Sequence, residues 1–194
     1  MKKLYFRYGT MGSGKSNKIL QVAYNYDERG MKVFLGKPSI DTKGNDQVVS
    51  RIGISRKIDK LIDKNLDIYK YIKENENKYQ CILIDESQFL TEKQVDQLLK
   101  ITINLDIPVI CYGLRTNFLT KSFEGSKRLL EIAHTIEEEK TICDCGSKTL
   151  FNLRKINGKV DLHGEEVQID TNESIEYIGL CAKCYYEQIK NQTK

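Results

Sequence analysis

Gly9-Thr10-Met11-Gly12-Ser13-Gly14-Lys15-Ser16 is a complete G-x-x-x-x-G-K-[ST] pattern. It follows a β-rich run at residues 4–8, Leu-Tyr-Phe-Arg-Tyr. It precedes residues 17–29, where Ile19, Leu20, Ala23 and Tyr24 share one helical face and Gly30 supplies a stop. Strand, glycine-rich turn and helix in that order form a phosphate-binding loop. Its glycines let backbone N–H groups turn inward around a triphosphate, and the helix N-terminus adds partial positive charge. Lys15 is placed to bridge the terminal phosphates, and the Ser16 hydroxyl to serve Mg²⁺. Such a loop needs a carboxylate for the metal, and Cys81-Ile82-Leu83-Ile84-Asp85-Glu86, an apolar run ending in acid, offers Asp85. Successive strand residues point to opposite faces, so Glu86 is left for a separate role: a general base, a water-orienting group of an ATPase, or a solvated loop carboxylate.

Working outward, strands are expected at residues 4–8, 33–36, 81–85 and 109–112, with a weaker one near 140–142. Helices are expected at 17–29, 68–76 and 126–134. A further helix starts at Thr91-Glu92-Lys93-Gln94, a capping-box pattern that puts Val95, Leu98, Leu99 and Thr102 on its inner face. Strands alternating with helices predict an α/β layer structure around a mostly parallel sheet. Residues 38–64 show no clear period and are read as a mobile loop or irregular extension. From about residue 141 the pattern changes to short alternating runs carrying four closely spaced cysteines. The expected organisation is therefore a nucleotide-binding domain at 1–140, a small second module at 141–190 and a disordered polar tail at 191–194.

The chain has 194 residues, 40% hydrophobic and 30% charged, which excludes collagen-like and wholly disordered classes. Its 31 basic and 27 acidic residues give +4 with the charges interspersed, so no stripe suited to a phosphate backbone is apparent, and no nucleic-acid partner is expected. The apolar runs fall far short of the roughly 20 residues of a membrane span, and no export signal is visible, so a cytoplasmic protein without membrane contact is expected. In a reducing compartment Cys81 and Cys111, single within apolar runs, read as small buried hydrophobes. Cys143-Asp144-Cys145 and Cys181-Ala182-Lys183-Cys184 instead have metal-ligand spacing. One tetrahedral four-thiolate zinc site is expected if residues 146–180 loop back; three thiolates with His163, or a reduced module without metal, are the alternatives.

Five segments then occur in a fixed order: Tyr5-Phe6-Arg7-Tyr8-Gly9 leading into the phosphate loop, Lys37-Pro38-Ser39-Ile40-Asp41, Asp85-Glu86-Ser87-Gln88-Phe89, Tyr112-Gly113-Leu114-Arg115-Thr116-Asn117-Phe118, and Tyr177 four residues before Cys181. Together they resemble the type II thymidine kinases over nearly the whole chain. The resemblance implies a RecA-like P-loop parallel sheet with helices on both faces, followed by a small zinc-held lasso. It implies phosphoryl transfer from Mg-ATP to the 5′-hydroxyl of thymidine or deoxyuridine, giving dTMP in nucleotide salvage, by a homotetramer inhibited by dTTP. Glu86 would be the catalytic base. ATP and its phosphates would be held by Gly9, Thr10, Met11, Gly12, Ser13, Gly14, Lys15, Ser16, Asp41, Lys43, Asp85, Glu86, Ser87 and Gln88, with Ser16 and Asp85 serving Mg²⁺. The nucleoside would lie among Met11, Phe89, Leu114, Phe118, Phe123, Asn152 and Tyr177. Zinc would sit on Cys143, Cys145, Cys181 and Cys184. Three positions depart from the family pattern: Lys43 stands where Arg is usual, Asn152 where Thr or Ser is preferred, and the first cysteine pair is C-x-C rather than C-x-x-C.

Overall fold

A computed structural model describes residues 1–41, 44–75, 78–163 and 174–192. Its centre is a sheet of six parallel strands: β1 (Leu4–Tyr8), β2 (Val33–Pro38), β5 (Lys60–Ile62), β6 (Cys81–Ile84), β7 (Val109–Gly113) and β8 (Thr135–Glu138), in the order β5-β2-β6-β7-β1-β8. The strands β2 and β6 bury both faces, and period-two alternation divides their side chains between two cores. Val33, Leu35, Cys81 and Leu83 pack on one face with Ile19, Leu20 and Ala23 of helix α1 (Lys15–Asp27). Phe34, Ile82 and Ile84 join Leu4, Phe6 and Val109 on the other face. Helices α2 (Ile68–Lys73), α3 (Glu92–Asn104) and α4 (Glu124–Ile132) cover that second face with Ile68, Ile72, Val95, Leu98, Ile101 and Leu129.

The expected α/β architecture with helices on both faces is thus what the chain adopts. Thr91 caps α3 in the reciprocal arrangement its spacing predicts: its hydroxyl accepts from Gln94 N at 3.2 Å, while Gln94 Oε1 accepts from Thr91 N at 3.1 Å. A cap of this kind is worth about 1 kcal/mol.

Several elements differ from the expectation. Residues 38–64 hold β5 and a hairpin of β3 (Gln47–Val49) with β4 (Ser55–Lys57). Strands of three residues are too short to show a period, and the region has one inward anchor at a time, Val48, Ile58 and Ile62. The last strand of the sheet is Thr135–Glu138 rather than near 140–142; it is a half-exposed edge strand whose charged residues hide the pattern. Helix α2 ends at Lys73, and the expected end at Glu76 lies outside the described residues.

The C-terminal part is built on β9 (Phe151–Ile156), β10 (Lys159–Val160) and β11 (Ile175–Leu180), antiparallel in the order β10-β9-β11. The sequence reading lacks helix α5 (Ala182–Gln192), which carries Cys184 and Tyr185 and runs through Asn191 and Gln192, half of the expected tail. Cys143, Leu153, Leu180, Cys181 and Tyr185 form its own small core.

Candidate active site

The phosphate loop leaves β1 at the carboxyl edge of the sheet and enters α1 through two residues that only glycine adopts without strain: Gly12 at φ 85° and Gly14 at φ 81°. Lys15 is buried beneath the loop, donating from Nζ to the carbonyls of Gly9 and Thr10, both at 2.9 Å. Burial pulls its ammonium below the ordinary value; the carboxylates of Glu86 and Asp85 oppose that shift and Arg51 adds to it. Arg51 has no motif of its own. It follows the strand β3, and its Nη1 lies 3.2 Å from where a Cβ on Gly12 would be, so a second cation reaches over the phosphate loop.

Asp85 follows β6 on the same edge, its N–H donating to Gly36 O at 2.9 Å. Its carboxyl is pushed up to about 7, first by burial and then by the neighbouring Glu86 charge. Glu86 stands in the left-handed region at φ 49°, which for a non-glycine residue stores about 1–3 kcal/mol. Its surroundings hold it there. Its N–H donates to Asp85 Oδ1 at 3.0 Å, and Gln88 Nε2 donates to Glu86 Oε2 at 2.6 Å. Gln88 is in turn fixed by Leu114 N, which donates to its Oε1 at 3.0 Å, and the Ser87 hydroxyl donates to Tyr112 O at 2.9 Å. The 3-10 turn Ser87–Phe89 thereby locks the acidic pair to the end of β7. At Gly113 a Cβ would come within 2.8 Å of both the Gln88 and Ser87 side chains, which leaves room for hydrogen there and nothing larger.

One cavity of about 690 Å³ opens above this edge, within the usual size of a small-molecule site. Met11, Gly12, Gly14, Lys15 and Ser16 line it together with Asp41, Glu86, Gln88, Phe89, Leu114, Phe118, Phe123, Asn152 and Tyr177. Most of the residues assigned to phosphate or nucleoside are thus brought to one space. Gly9, Thr10, Ser13, Asp85 and Ser87 are not on its wall, and Lys43 lies outside the described residues. Phe89 and Phe123 meet edge to face, 5.6 Å between centroids, while Phe118 and Leu114 complete an apolar wall. Thr116, Asn117 and Glu176 also line the cavity without having been singled out as site residues; the first two lie within the motif that ends at Phe118.

The C-terminal sheet closes over the phosphate loop by polar contacts that sequence separation conceals. Thr10 and Thr149 hydroxyls are 2.7 Å apart, and Met11 N donates to Asn152 Oδ1 at 2.8 Å. Asn152 therefore spends its acceptor on the phosphate loop. Gly179 allows the approach, since a Cβ there would lie 3.1 Å from Met11 O.

The thiols of Cys143, Cys145, Cys181 and Cys184 lie within 4.8 Å of one another, with Cys145 and Cys181 Sγ 3.6 Å apart. Four thiolates on one Zn²⁺ at about 2.3 Å stand about 3.8 Å apart, so the cluster can hold zinc. The shortened first pair is accommodated by a tight turn: Cys143 N donates to Ser147 O at 2.8 Å and Gly146 adopts φ 84°. Hydrogen bonding to Ser147, and then to the adjoining thiols, draws Cys145 down to about 6, while hydrogen bonds with Cys145 and Cys181, and then burial, push Cys184 up. His163 is not in the cluster; its carbonyl accepts from Arg154.

A parallel sheet whose first strand enters its first helix through G-x-x-x-x-G-K-S, with an acid at the end of another strand, puts the chain among the P-loop nucleotide-binding proteins. Within that class it belongs to the thymidine kinase family, whose profile matches residues 2–185. It is 44% identical to the thymidine kinase of Francisella tularensis subsp. tularensis, over 97% of this chain and 99% of that one. Identity is 48% with the thymidine kinase of Mannheimia succiniciproducens, over 93% of each chain. It is 46% with that of Pasteurella multocida, over 97% and 99% respectively. Among solved structures, Pif1 helicase from Candida albicans aligns at TM-score 0.44 and 16% identity, covering 73% of this chain and 36% of that one. Among the described residues no helix is long and apolar enough to cross a membrane.

Proposed function

We propose that the protein transfers the γ-phosphoryl group of Mg-ATP to the 5′-hydroxyl of thymidine or deoxyuridine, giving dTMP in pyrimidine deoxynucleotide salvage. The observation that carries this reading is the single cavity shared by the phosphate loop, Glu86 and the aromatic wall of Phe89, Leu114, Phe118 and Phe123. Donor phosphates and an apolar, planar acceptor thus fit one space from which bulk water can be displaced.

In this reading the loop amides and Lys15 hold the phosphates, Asp41 and the 85–88 segment border them, and Ser16 and Asp85 hold Mg²⁺. The metal, when bound, neutralises charge on the phosphate oxygens. The nucleoside 5′-oxygen attacks the γ-phosphorus, the bond to the ADP bridging oxygen breaks, and the 5′-hydroxyl proton passes to the Glu86 carboxylate. The loose transition state demands little early proton removal, so an oriented weak base suffices. Orientation is what Gln88 and the left-handed backbone supply. Met11 and the aromatic wall enclose the base, and the β11 backbone around Tyr177 meets the pyrimidine edge, while Asn152 ties that sheet to the loop.

The same shared cavity supports inhibition by dTTP, because one molecule with a thymine base and a triphosphate spans both halves. Zinc on the four cysteines braces a C-terminal module whose own apolar core is small. The family resemblance supports a homotetrameric assembly in the cytoplasm with no nucleic-acid partner. The test is Glu86→Gln. It should bind ATP and thymidine as the parent does and turn over about 100-fold more slowly, the scale of a lost general base. Near-parental turnover would remove Glu86 from that role.

A further inference from the structure

Arg154 is the largest fully buried side chain of the described residues. Burying a guanidinium is costly unless it is well paired, and an apolar residue of similar size commonly serves stability at least as well. Its contacts therefore call for a reason. The guanidinium carbon lies 3.5 Å from the centroid of the Phe118 ring, a face-on stack at contact distance. Nε donates to Asp161 Oδ2 at 2.7 Å, and Nη2 reaches both Asp161 and the carbonyl of His163. Asp161 is itself fixed: its Oδ1 accepts from His163 N at 2.9 Å, and its N–H donates to Arg154 O at 2.9 Å. Across the ladder, Arg154 is the register partner of Tyr177.

Phe118, a cavity-wall residue, is thus held from the C-terminal module in two ways. Arg154 presses on its ring, and the Tyr185 hydroxyl donates to its backbone carbonyl. Arg154 itself is not on the cavity wall, so any effect it has on a ligand passes through Phe118 and the β9–β11 pair. A planar, forked cation suits both contacts at once; an ammonium cannot lie flat on the ring while it reaches Asp161 Oδ2 and the His163 carbonyl.

We infer that Arg154 is a positioning residue for the acceptor half of the site: stacked on Phe118 and anchored by Asp161, it fixes the aromatic wall against which the nucleoside base rests. The inference rests on the nucleoside reading of that wall.

The experiment is steady-state kinetics of the full-length protein and its Arg154→Lys, Asp161→Asn and Phe118→Leu variants, varying thymidine and ATP separately. Thermal melts and zinc content serve as folding controls. Arg154→Lys should raise the thymidine KM roughly 10-fold, and Asp161→Asn less, with kcat and the ATP KM within about 2-fold of the parent. If Arg154→Lys fails to fold, Asp161→Asn carries the test alone. Equal movement of kcat and both KM values would mean a merely structural role and overturn the inference. It also falls if Phe118→Leu raises the thymidine KM while the Arg154 and Asp161 variants do not. If Phe118→Leu leaves that KM unchanged, the nucleoside reading of the wall fails and the inference fails with it.

Discussion

Asp85→Asn should stabilise the ligand-free protein by an amount that grows as pH rises from about 4 to about 7 and is constant above. In the fold, burial, which disfavours the anion, and then repulsion from Glu86 push this carboxyl from an ordinary 3.8 up to about 7. A carboxyl raised in this way holds its proton more tightly folded than unfolded. Its contribution to stability is fully favourable below about 4, is lost as pH rises through the interval to about 7, and is flat above. A gap of about three units corresponds to about 4 kcal/mol at 1.36 kcal/mol per unit. Asparagine removes the charge and keeps an oxygen able to accept the Glu86 N–H. For a chain of this size about 2–4 °C accompanies each kcal/mol, so the variant should melt about 8–16 °C above the parent at about pH 8, and at nearly the same temperature at about pH 4. Calorimetric melts of the zinc-loaded protein, without added magnesium or nucleotide, across that range measure the difference directly. A variant that melts at or below the parent at the alkaline end, or a difference that does not change with pH, would refute the reasoning.

Other consequences are narrower. Metal analysis of purified protein should find about one zinc per chain, lost in Cys145→Ser and retained in Cys81→Ser and Cys111→Ser, whose thiols lie apart in the sheet core. Zinc content unchanged by Cys145→Ser would remove that thiol from the site. Gly125→Ala should cost more than about 2 kcal/mol in urea unfolding, because the new Cβ would lie 2.5 Å from Ser87 O and 2.7 Å from Leu90 O, both backbone atoms. An Ala variant as stable as the parent would show that α4 can move off the acidic turn.

Much of the fold was legible because its signals are local. The runs at 4–8, 33–36, 81–85 and 109–112 are continuous and β-branched or aromatic, and each became a strand with neighbours on both sides. Thr91 and Gln94 lie three residues apart and met as a capping box. What escaped is what the tertiary context determines. The strands β3, β4 and β5 have three residues each, and Arg51 reaches the phosphate loop only because the hairpin brings it there. Helix α5 begins between Cys181 and Cys184, where the C-x-x-C spacing signals metal and masks the start of a helix that carries Cys184 and Tyr185. At the site, residue types were readable and their local geometry was not. The left-handed backbone of Glu86, the bridge from Gln88 to Leu114 N and the contact of Met11 N with Asn152 follow from packing between distant segments. Ser87, expected at the phosphates, spends its hydroxyl on Tyr112 O because the turn must be fastened to β7.

In the proposed reaction one cavity brings a phosphate donor and a nucleoside acceptor together. Its most direct measurement is phosphoryl transfer from γ-labelled Mg-ATP by the purified protein, with thymidine as acceptor, uridine as competitor and Lys15→Ala as control. Labelled dTMP that depends on thymidine and on Lys15 is the expected product. Hydrolysis of ATP at a rate indifferent to thymidine would leave the nucleotide site in place and contradict the acceptor site.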